Sequence, residues 1–166
     1  MILDSITLYN YGLFKGEHKI NFSQINKKRN VILIGGLNGA GKTTLLEAIQ
    51  LGLYGRISPE VQRSSVSYEK LLHEKINRQV VPEEGAFVEI CFRVQEDVNS
   101  RTYSVHRSWS SSNCRAKESL AVSVDGNYDE ILTSTWAEHT ERFIPAHLAS
   151  LFFFDGEKIE ALADPE

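Results

Sequence analysis

At 166 residues, with 42% apolar and 24% charged residues, the chain is long enough to bury a real core and has the composition of a soluble globular domain. A net charge of −4 excludes a surface that is basic throughout, while leaving room for a local basic patch. Two cysteines, Cys91 and Cys114, have no metal-ligand spacing and do not suggest a disulfide framework. Neither a signal peptide nor an apolar run of bilayer length is present, so a cytoplasmic location without a membrane partner is expected.

In chain order, Met1–Tyr11 reads as a first strand, Gly12 permits a turn, and Leu13–Phe22 reads as a second strand with Phe14, Ile20 and Phe22 apolar. Lys27-Lys28-Arg29 is a basic turn whose simplest role is solvation, with phosphate or DNA contact as the alternative. Asn30–Ile34 is a short apolar run, the pattern of a strand buried on both faces. It leads into Gly35-Gly36-Leu37-Asn38-Gly39-Ala40-Gly41-Lys42-Thr43-Thr44, which from Gly36 fits G-x-x-x-x-G-K-[ST]. Leu45, Leu46, Ala48, Ile49 and Leu53 then recur at helical spacing, so a helix is expected from Lys42 to about Leu53.

Strand, glycine loop and helix is the order a phosphate-binding loop requires. Glycines let the backbone curl so that N–H groups converge on phosphate oxygens, and the helix start adds unpaired N–H groups and a positive dipole end. The spacing places Lys42 to reach the β- and γ-phosphates of a nucleotide such as ATP, and the Thr43 hydroxyl to serve as a Mg²⁺ ligand. Gly36, Asn38, Gly39, Ala40, Gly41 and Thr44 complete the cradle. The competing interpretation is a Gly-rich turn before an ordinary helix, which the flanking pattern disfavours.

Gly55–Pro59 breaks the helix, Ser64–Ser67 is a polar loop, and Tyr68–Asn77 carries Leu71, Leu72 and Ile76 at helical spacing. Phe87–Val94 and Arg101–Trp109 alternate like half-buried antiparallel strands, joined as a hairpin through Gln95–Ser100. Ser110–Lys117 is the least ordered-looking stretch. Ser119–Asp125 is a further strand, closed by Asp125-Gly126-Asn127. Thr133–Ile144 reads as one helix capped by Thr133 or Ser134, with Trp136 and Phe143 inward, and Pro145 stops it. No internal repeat is visible. The expected fold class is mixed α/β, an antiparallel meander plus one P-loop unit, without the βαβαβ alternation of a compact kinase.

Leu151-Phe152-Phe153-Phe154-Asp155 is an apolar run ending in a carboxylate, which suits a second partner for Mg²⁺ at Thr43. Glu157, two residues on, is placed to orient a water; a plain turn at Asp155-Gly156 is the alternative. His18, His73, His106, His139 and His147 are scattered and form no ligand pair.

Ile6-Thr7-Leu8-Tyr9-Asn10-Tyr11-Gly12-Leu13-Phe14 resembles the N-terminal strand and turn of the coiled-coil ATPases of chromosome maintenance and double-strand-break repair. Gly36–Ile49 resembles their Walker A loop and first helix, Gly52-Leu53-Tyr54-Gly55 continues the match, and Phe154-Asp155-Gly156-Glu157-Lys158-Ile159 sits where they carry the Q-loop. Within that superfamily the resemblance is nearest to the DndD-type ATPases of bacterial DNA phosphorothioation, and it covers essentially the whole chain. The resemblance implies the N-terminal lobe of an ABC/SMC-type ATPase head (residues 1–166), with the coiled coil and C-terminal half lying elsewhere. It implies ATP and Mg²⁺ as cofactors and Gly12, Phe14 and Lys15 as the turn bordering the base and ribose. The implied partners are the C-terminal half of the head, a second head facing it around ATP, DNA, and other proteins of the sulfur-modification system. Asp155 departs from the family's Gln, since a carboxylate binds metal or its waters but donates no amide hydrogen bond. The other interpretations are a small-molecule or nucleotide kinase using Leu151–Asp155 as its Walker B strand, a related DNA-repair ATPase, and a non-catalytic nucleotide-gated interaction module.

Overall fold

A computed structural model describes residues 1–22, 32–96 and 99–149. Its frame is a six-stranded sheet of order β2-β1-β3-β4-β5-β6, formed by β1 (Ile2–Tyr11), β2 (Phe14–Asn21), β3 (Ala86–Glu96), β4 (Asn99–Ser112), β5 (Arg115–Val124) and β6 (Asn127–Tyr128). Every pairing is antiparallel. Period-two alternation assigns the faces. Val88, Ile90 and Phe92 on β3 and Tyr103, Val105, Arg107 and Trp109 on β4 are buried on the inner face, while Phe87, Glu89, Ser104 and His106 between them are half-buried on the outer one.

The inner face carries α1 (Lys42–Tyr54), α3 (Tyr68–Lys75) and α5 (Trp136–Phe143). α1 approaches closely because Gly52 has no side chain: a Cβ there would lie 2.5 Å from Ile90 Cδ1 and 3.0 Å from Val88 Cγ1. The last carbonyls of a helix lack intrahelical donors, and long-range side chains supply them here. Trp136 Nε1 donates to Leu53 O at 2.8 Å, Arg107 Nε to Gly52 O at 3.3 Å, and Trp109 Nε1 to Leu72 O at the end of α3 at 2.8 Å. Arg107 is buried but paired, with its Nη1 2.6 Å from Glu118 Oε1, which also accepts from Tyr68 Oη at 2.6 Å.

The two opening strands, the P-loop helix, the helix from Tyr68 and the strands of the meander lie where the sequence places them, to within a few residues. The hairpin between β3 and β4 closes at Glu96 and Asn99. Trp136 is buried and Phe143 half-buried, as expected. Four local expectations are corrected. Residues 32–34 of the expected Asn30–Ile34 strand are unpaired and exposed, because no strand among the described residues lies beside them to complete a ladder. Ser110–Lys117 is ordered pairing: Ser110, Ser111 and Ser112 face Lys117, Ala116 and Arg115 across a tight turn at Asn113-Cys114, both at positive φ (51° and 59°). Ser111 is buried there, 2.9 Å from His73 Nδ1.

The third correction concerns Thr133–Ile144, which is two helices, α4 (Glu130–Ser134) and α5, broken at Thr135. Asp129 is the N-cap, accepting from Leu132 N at 2.8 Å, while Thr133 Oγ1 is tied to β5 by accepting from Val122 N at 2.9 Å. The break turns the Trp136 indole onto the end of α1. Between α1 and α3 a 3₁₀ turn, Gly55–Ile57, and a short α2 (Pro59–Arg63) capped by Ser58 replace the expected simple break. Lys27-Lys28-Arg29, Asn30, Val31 and everything from Ser150 onward, including Leu151–Asp155 and Glu157, lie outside the described residues.

Gly85, which admits the chain to β3, has φ +75° and ψ −177°, and a Cβ on it would lie 2.5 Å from the Trp109 carbonyl oxygen. Gly85→Ala should therefore destabilise the fold by about 2 kcal/mol or more, from a backbone region almost confined to glycine and a clash with main chain. Chemical denaturation measures it.

Candidate nucleotide-binding site

The phosphate loop is tied together by its own residues. Ala40 N donates to Leu37 O at 3.0 Å, and Gly39 and Gly41 take φ values of +80° and +95° that suit glycine. A Cβ on Gly36 would lie 3.2 Å from Ala40 Cβ, so closure of the loop depends on that glycine. Lys42 Nζ arches back to Gly36 O at 2.9 Å and Leu37 O at 3.1 Å, which keeps its positive charge over the loop. α1 starts at Gly41 with no side-chain cap and no acidic residue in its first turn. Its leading N–H groups and dipole therefore stay directed to the loop, where an anion is stabilised.

Of the residues singled out in the sequence, the structure brings Gly12 and Phe14 to this helix start. Gly12 has φ +55°, and a Cβ on it would lie 2.6 Å from Thr44 Cγ2. The Phe14 ring covers Gly41, with Cζ 3.0 Å from where a Cβ would stand, and His18 meets the same ring edge-on at 5.4 Å. Lys15 is exposed, and its carbonyl pairs with His18 Nε2 at 2.9 Å. Asn38, Gly39 and Ala40 are exposed at the loop crest, while Lys42, Thr43 and Thr44 are half-buried in the first turn of α1. Thr43 is the described residue suited to Mg²⁺, a cation that takes few protein ligands and completes its shell with phosphate and water. Among the described residues no group of three or more His, Cys, Asp or Glu could hold a metal unaided. Asp155 and Glu157 lie outside the described residues.

Residues to which the sequence assigned no role in the site support it from below. Asn10, buried with φ +48°, accepts from Gly16 N at 2.9 Å through Oδ1 and donates to Gly85 O at 3.3 Å through Nδ2. Lys75 Nζ lies 2.8 Å from Glu47 Oε2 on α1 and 2.5 Å from Glu60 Oε1 on α2. Burial pulls that ammonium down, and its bonds to Glu47 and Glu60 more than offset it, leaving its pKa raised. The Tyr11 phenol beside this group is fully buried and held well above the usual tyrosine range, first by burial and then by Glu60 and Glu47. No local spacing signals these contacts; a charged residue on each of three separate helices carries no shared periodicity.

Gly41→Ala should cost about 1–2 kcal/mol of stability from left-handed backbone alone, and should displace the Phe14 ring. Urea denaturation reads the first effect, and the aromatic proton shifts of Phe14 read the second.

A family model described as an AAA domain matches residues 5–164. The chain is also 33% identical over 103 residues to the SbcC component of the nuclease SbcCD of Treponema pallidum (strain Nichols), an alignment that covers 62% of this chain and 8% of that protein. The chain thus spans a small part of the length of that relative. With a P-loop at the head of α1 and the match running over nearly its whole length, the chain belongs to the AAA domain family, ATPase domains related to the ABC- and SMC-type ATPases.

Proposed function

We propose that this chain is the ATP-binding N-terminal lobe of a DNA-acting ATPase head. The observation that carries this is the closure of the Gly12–Phe14 turn onto the start of α1, with Phe14 over Gly41 and Gly12 against Thr44. A cradle for phosphates is thereby bordered by a turn with an aromatic side chain, the arrangement a nucleoside triphosphate needs at its two ends. Lys42 would place a point charge at the β- and γ-phosphates, the N–H groups from Gly39 to Thr44 would hold their oxygens, and Thr43 would hold Mg²⁺. Mg²⁺ would supply charge neutralisation between the phosphates, with Asp155 as its second contact and Glu157 orienting the water.

The half-head interpretation has its own support. Ile32, Leu33, Ile34 and Leu37, beside the loop, are 43%, 93%, 47% and 85% exposed. An apolar run of this kind, with no ladder partner among the described residues, fits a strand completed by the C-terminal half of the head. A compact kinase gains no such support, since the described sheet is antiparallel throughout. The finer assignment, to DNA phosphorothioation with two heads facing around ATP and the other sulfur-modification proteins as partners, rests on Asn10-Tyr11-Gly12 with Phe14 and on Phe153–Ile159. The alignment with part of a nuclease favours a DNA-repair ATPase as the second interpretation. Loss of phosphorothioate linkages from the DNA of cells carrying Lys42→Ala would support the first; retention of them alongside impaired break repair would support the second.

Lys42→Ala should abolish ATP binding while leaving the melting temperature within a few degrees of the parent, because the side chain, at the start of α1, reaches exposed loop carbonyls rather than the core. Wild-type affinity in that variant would overturn the assignment. The chain alone should hydrolyse ATP hardly at all, and the C-terminal half added in trans should restore turnover. Losing one electrostatic donor costs about 10²–10³ in rate, and here several come from elsewhere. Ordinary turnover by the isolated chain, unchanged by Asp155→Ala, would refute the half-head interpretation.

A further inference from the structure

Lys75–Asn77, where the chain leaves α3, grips the turn after β1 at three points. Gly12 N donates to Lys75 O at 2.7 Å, Asn77 N to Asn10 O at 2.7 Å, and Asn77 Nδ2 to Gly12 O at 2.8 Å. Between them Tyr11 and Ile76 form an antiparallel bridge. The same segment reaches α1, since Lys75 Nζ binds Glu47, one helical turn beyond Thr43. One strut therefore holds the P-loop helix by a side chain and the Gly12 turn by main chain and an amide.

The division of labour among these bonds is specific. Asn10 fixes the internal shape of the turn through Gly16 and Gly85, so the turn keeps its form without Asn77. Asn77 fixes where the turn sits. Its Oδ1 is engaged by Gln79 N at 2.9 Å, so its Nδ2 is the atom directed at Gly12 O, and the residue is 5% exposed. Directly across the turn, Gly12 lies against Thr44 of the phosphate loop's helix. We propose that Asn77, with Lys75, is a positioning residue that sets the spacing between the Gly12–Lys15 turn and the phosphate cradle, and through it the site's grip on a nucleoside as distinct from bare phosphates. This rests on the proposal that the turn borders the base and ribose.

The test uses Asn77→Ser, whose hydroxyl replaces the turn acceptor for Gln79 N but falls short of Gly12, and Asn77→Asp, which keeps the acceptor and removes the donor. NMR-followed titrations of the parent and each folded variant with ATP and with tripolyphosphate, both with Mg²⁺, read affinities into the millimolar range. ATP affinity should fall about ten-fold, the scale of one lost buried hydrogen bond, while tripolyphosphate affinity stays within about two-fold, since the cradle itself is untouched. Equal losses for both ligands, or none in either variant, would overturn the proposal. A parent chain silent toward both ligands would instead overturn the nucleotide assignment beneath it.

Discussion

The seating of α1 on the inner face of the sheet is the constraint on which the site depends. A helix presents its leading N–H groups in a fixed direction only if the other end is held, and here that end is gripped from three sides. Gly52 lets the axis approach β3, Arg107 and Trp136 donate to the final carbonyls, and Gly55 N closes the last turn on Leu51 O. Arg107 can take part only because Glu118 neutralises it in a buried setting. The charge pairs at the far end of the helix therefore serve the phosphate loop at its near end.

Electrostatics at the two sides of the helix start are handled differently. Above it, no carboxylate occupies the first turn, so the dipole and Lys42 act together. Below it, Lys75 bonds both Glu47 and Glu60, offsetting part of their negative charge while anchoring α1 to its neighbours. The buried Tyr11 phenol beside them stays protonated over the whole physiological range. Glu47 and Glu60 thus share one ammonium.

What the sequence made legible was whatever carried its signal locally. The meander strands announced themselves by alternation, and Leu45, Ala48 and Leu53 announced α1 by their spacing. The phosphate loop was legible residue by residue, because its chemistry demands those types at those intervals. Gly12 and Phe14 were legible only by resemblance, since nothing in their own neighbourhood says they touch residues some thirty positions on. The misses share a cause. Ser110–Lys117 reads as the least ordered stretch, yet its order comes from the pairing of β4 with β5. Thr135 breaks a helical pattern because Trp136 has a distant carbonyl to reach. Lys75 and Asn77 make contacts to Glu47 and Gly12 that no window on the sequence contains.

The segment Ile32–Ile34 has a bearing on how the polypeptide behaves in solution. Main-chain groups without a ladder partner among the described residues, carrying branched apolar side chains, are a template on which another copy of the same segment can add as a strand. Charged residues and prolines that protect natural sheet edges are missing from Ile32, Leu33 and Ile34. Association at high concentration is therefore expected to run through this short segment, and a soluble peptide or protein strand that occupies it is expected to suppress it. The same residues that lead the chain into its phosphate loop are thus the ones whose exposure bears on its solubility.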